Sequence, residues 1–318
     1  MLKRLTSADI NKEKWDDCIE SSHEAIFYAL SCFLDSSPYN WSAIVDEQID
    51  DEGDTYYETV FPYQHIKKFG FSIIIQDPFL HELGIFSRNP LIDKNIFELI
   101  ELAFSNFAYV SHYIFNSKNT ISQLKTVPSY HLPLNTPYET LFKNYHSKRK
   151  YELRNATAAQ LNIRKSNNIE LHIDLFRQHV ASKIYGIEEY QYHQLITLYN
   201  QFHQKGFVQI YEVLTNDNEV VTSGMFITHQ QKITYFFAAT SPTGRKLSSS
   251  VFLLDYIIKK YSSSNYTLDF EGGDTSNLAT FYKRFGAHKK EIPIYSKNQL
   301  PFLIKWVQKV RMILVSKK

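Results

Sequence analysis

The sequence predicts an α+β fold in two domains, with helices covering a mixed sheet. Three observations carry the prediction. The chain has 318 residues, 43% of them hydrophobic, which is enough to bury a core and suits two domains of about 150 residues each. The first half contains recognisable strands, the pattern from Tyr138 to Gly206 is mostly helical, and after Gly206 the period changes to two. Between the halves, Thr120 to Pro137 is an extended segment punctuated by Pro128, Pro133 and Pro137. That segment sets the expected domains at 1–127 and 128–318.

In the first half, Tyr56 to Phe61 is a run of β formers stopped by Pro62, Phe71 to Gln76 is a β-branched run ending at Asp77-Pro78, and Phe107 to Phe115 is an aromatic strand. Ile92 to Phe104 has helical spacing, and acidic Glu47 to Asp54 reads as a solvated loop. The second half opens with a helical pattern from Tyr138 to about Gln160, broken near His146-Ser147, and a short strand at Leu161 to Arg164. Helices fit Leu171 to Lys183 and Glu188 to Lys205, the latter closed by Gly206. Phe207 to Thr215, Val220 to Thr228 and Ile233 to Thr240 are strands joined by short polar turns, which require antiparallel neighbours. After the loop Ser241 to Lys246 comes a helix with Leu247, Val251, Leu254, Ile258 and Tyr261 on one face and a surface pair, Asp255 and Lys259, on the other. Strand Tyr266 to Phe270, helix Ser276 to Arg284 and strand Ala287 to Tyr295 complete the pattern.

Composition narrows the function classes. A net charge of +2 argues against a nucleic-acid protein defined by its global charge. Cys18 and Cys32 are far apart and lack the nearby Cys or His of a zinc site, so two free thiols in a reducing, cytoplasmic setting and no metal are expected. Neither a signal-peptide core nor a run of about 18 apolar residues occurs, so no membrane span is expected. The 22 Tyr and 23 Phe read first as aromatic strands and core.

The stretch Thr267 to Ala287, TLDFEGGDTSNLATFYKRFGA, concentrates the candidate chemistry. Strand alternation puts Asp269 and Glu271 on the side opposite Leu268 and Phe270. Two carboxylates at a strand end can supply a general base; equally, Glu271 can bind loop amides while Asp274 or Thr275 caps the next helix. Tyr282 is either a proton donor to a leaving thiolate or a core tyrosine with a satisfied hydroxyl. Upstream, Ser241, Gly244, Arg245, Lys246, Leu247, Ser248 and Ser249 form a strand-to-helix loop. A helix start there offers unpaired N–H groups to a phosphate, and the alternative is a plain turn. Lys143, His146, Lys150 and Arg154 share one helical face, with Lys148, Arg149, Arg164 and Lys165 nearby, as a solvated face or a contact for an anionic substrate or an RNA backbone.

The order of meander, Gly-containing loop, helix, strand, and a helix bearing ATFYKRFGA resembles the Gcn5-related N-acetyltransferase (GNAT) fold. Ala279, Phe281, Tyr282, Gly286 and Ala287 fit that family's helix. The resemblance implies that Ser241 to Ser249 hold the pyrophosphate of acetyl-CoA or another acyl-CoA, although Ser241 and Lys246 depart from the family's Q/R-x-x-G-x-G/A loop. It also implies that Tyr282 protonates the departing thiolate, with Glu271, or else Asp269, as base. Tyr145 to Ala156, YHSKRKYELRNA, together with DFEGG and FYKRFG, resembles the Fem-type aminoacyltransferases of peptidoglycan synthesis. That branch implies two GNAT-like domains in tandem, each a mixed, mostly antiparallel sheet flanked by helices. Acyl transfer from acyl-CoA to an amine or hydroxyl of a small-molecule or peptide-like acceptor is expected. Alternatives are transfer from aminoacyl-tRNA, for which Fem-type enzymes commonly carry Lys where this chain has Tyr282, and a degenerate, non-catalytic binding module.

Overall fold

The β-branched and aromatic runs of the sequence become strands, and the strands fall into two units. A computed structural model describes residues 2–91, 93–181, 188–273, 275–302 and 304–306. One unit is Met1–Thr126 with Ile292–Lys318, and the other is Val127–Glu291.

In the first unit, β1 (Leu2–Thr6), α1 (Lys12–Ser21) and α2 (Ser31–Ser36) precede β2 (Asn40–Ile49), β3 (Thr55–Lys68), β4 (Phe71–Ile75), the two-residue β5 (Phe86–Ser87), α3 (Asp93–Phe104) and β6 (Tyr109–Ile114). Asn11 starts α1 by accepting hydrogen bonds from the N–H groups of Glu13 and Lys14. The strands β1, β2, β3 and β4 pair antiparallel in that order, and β6 joins β4 in parallel through Ile73–Tyr109 and Ile74–Val110. Aromatic side chains fill the core: Trp15, Phe33, Phe61, Phe104, Tyr113 and Phe115 are buried, with Phe61 edge-on to Tyr113 at 5.4 Å between ring centres.

Three sequence expectations change here. Glu47 to Ile49 belong to β2, and only the tip of the expected acidic loop turns, closed by Asp50 accepting the N–H groups of Glu52 and Asp54. Pro62 does not end its strand. On its second edge β3 pairs with β5 at Thr59 and Val60 and with β4 from Gln64 onward, so Pro62 lies in the interval between the two partners. A single cut assigned 128–318 to one domain, yet the chain from Ile292 belongs to the first unit. The last strand, β13 (His288–Asn298), pairs antiparallel with β6 from Ile294 to Asn298.

The second unit runs β7 (Lys125–Pro133), α4 (Tyr138–Lys143), α5 (Ser147–Ala158), β8 (Asn162–Ser166), α6 (Ile169–His179), α7 (Glu189–Gln204), β9 (Val208–Leu214), β10 (Val220–His229), β11 (Lys232–Thr240), α8 (Pro242–Lys246), α9 (Ser249–Tyr261), β12 (Thr267–Asp269) and α10 (Ser276–Lys283). Ile92, Lys183 and Asp274, which the sequence reading placed in helices or a cap, lie outside the described residues. The strand order is β7-β12-β11-β10-β9-β8, antiparallel except for the parallel pair β11–β12. The core joins Leu132, Val221, Phe226, Leu253, Leu254, Ile257, Ile258, Leu268, Phe270 and Phe285, each such side chain contributing about 1.5–3 kcal/mol on burial.

The two units repeat one topology. Three antiparallel strands (β2-β3-β4, then β9-β10-β11) lead through a helix (α3, then α9) to a strand parallel to the third (β6, then β12).

Candidate active site

The parallel pair in the second unit is short. Its register runs only from Lys232–Thr267 to Thr234–Asp269, while β11 continues to Thr240. Phe236 is an extra residue against β10, since Met225 pairs with Phe237 and Phe226 with Tyr235. A bulge bends the strand that carries it, so β11 turns just past the point where β12 stops. Beyond Thr234, β11 has no register partner on β12, and the candidate residues follow the ends of these two strands.

One end is that of β12. Asp269 is buried and tied from two neighbouring strands and from its own following loop: its Oδ2 lies 3.0 Å from Lys232 Nζ and 3.4 Å from His131 Nε2. Its Oδ1 accepts the Ser129 hydroxyl at 3.4 Å and the Glu271 N–H at 3.0 Å. Burial would raise this carboxyl, but the Lys232 and His131 charges and the bonds from Glu271 N–H and Lys232 outweigh it and hold it well below the usual carboxylate range. His131 stands opposite Asp269 in the β7–β12 register, so partners 138 positions apart meet through strand pairing alone.

The chain then takes three positive φ angles in a row: Glu271 at 53°, Gly272 at 60° and Gly273 at 120°. A left-handed glutamate is uncommon, and the bond from its N–H to Asp269 helps hold it there. Gly273 has no substitute, because a Cβ would meet the Tyr130 ring at 2.5 and 2.6 Å. Thr275 caps α10 by accepting the Leu278 N–H. On α10, Tyr282 is 7% exposed and belongs to the core, its ring stacked on Phe270 at 4.8 Å and 6.1 Å from Tyr130.

The other end is that of β11, where the expected open loop is the helical turn α8. Ser241 caps it, accepting the Gly244 N–H at 3.1 Å. Gly244 is buried and faces protein: a Cβ there would meet Val221 O at 2.4 Å and Ser249 Oγ at 2.5 Å. Ser249 is also buried, its hydroxyl 2.6 Å from Thr222 Oγ1. Arg245 folds back to donate to Thr240 O at 2.7 Å. Ser241, Gly244 and Ser249 thus brace the turn from inside, whereas Arg245 and Lys246 are exposed and Leu247 and Ser248 half-buried. Ser248 adopts φ 57° and makes no side-chain cap; its carbonyl accepts the Val251 and Phe252 N–H groups at 3.0 and 3.1 Å, so the amides of Ser249 and Ser250 are the ones that open α9.

The basic run divides. Lys143 ends α4, His146 caps α5, and Lys150 reaches back across the break to donate to Lys143 O at 2.9 Å. Arg149 leaves the surface altogether. It is 1% exposed, bonded to Glu152 at 2.6 Å and to Phe281 O at 2.8 Å, and its guanidinium lies 4.2 Å from the Phe281 and Phe285 rings. Burial pulls it down to about 10. Lys150 and Arg154 instead line a groove of about 710 Å³ with Lys259, Tyr138, Phe142, Phe252 and Tyr256. Asp255 lines the same groove and is not the surface residue its spacing suggested: it is buried and accepts the Tyr138 hydroxyl at 2.9 Å. Lys232, His131, the internal role of Arg149 and the Tyr138–Asp255 bond were all missed from the sequence, because each partner is remote along the chain.

No protein-family model matches the sequence, and no curated protein matches it by sequence. Solved structures match its fold. FemX superposes with a TM-score of 0.63 at 11% identity, over 93% of this chain and 98% of that one. The tandem GNAT protein from the clavulanic acid biosynthesis pathway gives 0.55 at 8% identity, over 95% and 99%. Saccharomyces cerevisiae N-myristoyltransferase with bound myristoyl-CoA gives 0.50 at 11% identity, over 93% and 78%. The repeated topology, the short parallel pair and these superpositions agree: the chain has the fold of the tandem GNAT-like, Fem-type acyltransferases.

Proposed function

We propose that the chain is an acyltransferase that moves an acyl group from acyl-CoA to an amine or hydroxyl of a small-molecule or peptide-like acceptor, at the ends of β11 and β12. The end of the β11–β12 pairing at Thr234 and Asp269, with β11 running on to Thr240, carries the reading. Beyond Thr234, the edge of β11 that faced β12 is no longer in register with it, and an extended, amide-bearing donor can pair there as a strand would. At the end of that edge, the amides opening α9 and the exposed Arg245 and Lys246 suit the donor's phosphates. Myristoyl-CoA in the yeast N-myristoyltransferase structure supports a thioester donor for this fold.

Glu271 is the proposed base. It is half-buried just past the end of β12, and its backbone is fixed by Asp269, which stays ionised and works as an anchor rather than a proton acceptor. Tyr282 is the proposed proton donor to the thiolate, through its hydroxyl alone, since its ring is core. Glu271→Gln is expected to lower kcat about 10²-fold or more with the acyl-CoA affinity kept, and Tyr282→Phe about tenfold or more. Full turnover in either variant removes that residue's role, and calorimetry showing no acyl-CoA binding by the unmodified chain removes the donor.

The groove between α5 and α9 supports a second donor, aminoacyl-tRNA. Lys150, Arg154 and Lys259 stand beside four aromatic rings there, an arrangement suited to phosphates and stacked bases. RNA binding that weakens steeply with salt, with a slope reduced in Arg154→Gln with Lys259→Gln, would favour it over the thioester.

A further inference from the structure

The hairpin joining β3 to β4 is built against its own local preference. Its two-residue tip, Phe69-Gly70, has φ 52° and 78°, the signs of a type I′ turn, in which the first position favours Asn. Here that position holds a phenylalanine, left-handed and 81% exposed. Behind the tip lies an apolar cavity of about 260 Å³, lined by Ile66, Phe71, Ile73, Ile75, Tyr109 and, from the last described segment, Leu300 and Ile304. Leu300 and Ile304 are four apart and turn into the cavity. Phe302 and Trp306, also four apart, project elsewhere and are 79% and 59% exposed. Of the most exposed large apolar side chains, Phe69 lines this cavity, and Phe302 and Trp306 stand on the segment whose Leu300 and Ile304 line it.

Their surroundings are basic. Lys67 and Lys68 precede Phe69 and Lys305 precedes Trp306, all three exposed, and Lys68 lies 5.8 Å from the Phe69 ring centre. Among the described residues, no carboxylate lines the cavity. From Gln299 to Lys318 the sequence carries Lys305, Lys309, Arg311, Lys317 and Lys318 and no acidic residue, in a chain whose net charge is only +2. Exposed aromatic rings ringed by lysines match the interfacial zone of an anionic bilayer, where rings enter the headgroup layer and cations meet lipid phosphates. Among the described residues, no helix is long and apolar enough to cross a membrane, so the contact would lie on the surface.

We propose that Phe69, Phe302 and Trp306, with Lys67, Lys68 and Lys305, form a docking face for anionic lipid membranes. The test is co-sedimentation of the full chain with phosphatidylglycerol-containing vesicles and with pure phosphatidylcholine vesicles, at low salt and at about 0.5 M salt. The chain is expected to pellet with the anionic vesicles at low salt and to be released at high salt. Lys68→Gln with Lys305→Gln should weaken binding about fivefold per cation removed, and Phe69→Ser with Trp306→Ser should weaken it at least tenfold. These side chains are exposed, so both double variants should keep the circular dichroism and melting of the parent. Failure to pellet with anionic vesicles overturns the proposal, as does binding that neither double variant weakens. Sedimentation velocity covers the other occupant: a self-associating chain dissociated by Phe69→Ser with Trp306→Ser, without vesicle binding, would assign the face to a second copy and overturn the lipid assignment.

Discussion

His172 illustrates how far a single side chain can depart from its usual chemistry in this molecule. It lies on α6, wholly buried, with Nδ1 2.6 Å from the Ser223 hydroxyl and its ring 5.3 Å from Phe237, and burial lowers its pKa to about 3. The folded state refuses a proton that the unfolded chain accepts at about pH 6.5. Stability from this group is therefore present above about pH 6.5 and is lost as pH falls toward 3, at up to about 1.4 kcal/mol per unit. Thermal melts at pH 7 and pH 5 should show a smaller acid loss in His172→Gln than in the parent, and an equal loss would assign acid sensitivity elsewhere. Asp269 is shifted by charge as well as burial. Its alternation with Leu268 and its place at a strand end were legible, but the chain does not announce that Lys232 and His131 would neutralise it. A carboxylate read as a possible base is consequently a fixed ion that positions Glu271.

Helix α10 is held by helix α5. Arg149 passes its guanidinium between Glu152, the Phe281 carbonyl and two phenylalanine rings, and the His146 N–H donates to Arg284 O at 3.0 Å. The YHSKRKYELRNA and FYKRFG stretches that stand out in the sequence are thus two sides of one contact. Arg149→Met keeps much of the apolar packing but leaves the Phe281 carbonyl and the half-buried Glu152 without their donor. We expect a loss of about 2 kcal/mol, read as a lower denaturant midpoint at unchanged slope. An unchanged midpoint would show that water replaces the guanidinium at no cost. Helix existence and most strands were legible from period and caps, including the break at His146 and the closure of α7 by Gly206. The turn α8 was not, because Ser241-Pro242 starts a helix as readily as a loop and only the Ser241–Gly244 bond decides.

Each unit owes its sheet to pairing across long sequence separations. In the first, β6 would be an open edge without β13, which supplies four register pairs from Ile294 to Asn298, and Pro293 O accepts the Phe115 N–H at 2.9 Å. A chain ended after Glu291 is expected to lose protection from proteolysis within 2–126 while fragments spanning 127–291 persist. Equal cleavage of both units would refute that dependence.

By itself the sequence determined the secondary-structure content, the two-part α+β organisation and the stretch in which candidate chemistry lies, because hydrophobic period, turn residues and caps act over a few residues. The tertiary structure alone decided which strands are neighbours, and with them the fate of the charges. Strand pairing set Lys232 and His131 on Asp269, and helix packing drew Arg149 and Asp255 inward. The bulge at Phe236 and the short β12 ended the parallel pairing at Thr234 and Asp269. A side chain's solvation depends on partners brought together by the fold, His131 and Asp269 from 138 positions apart, and no local pattern records them.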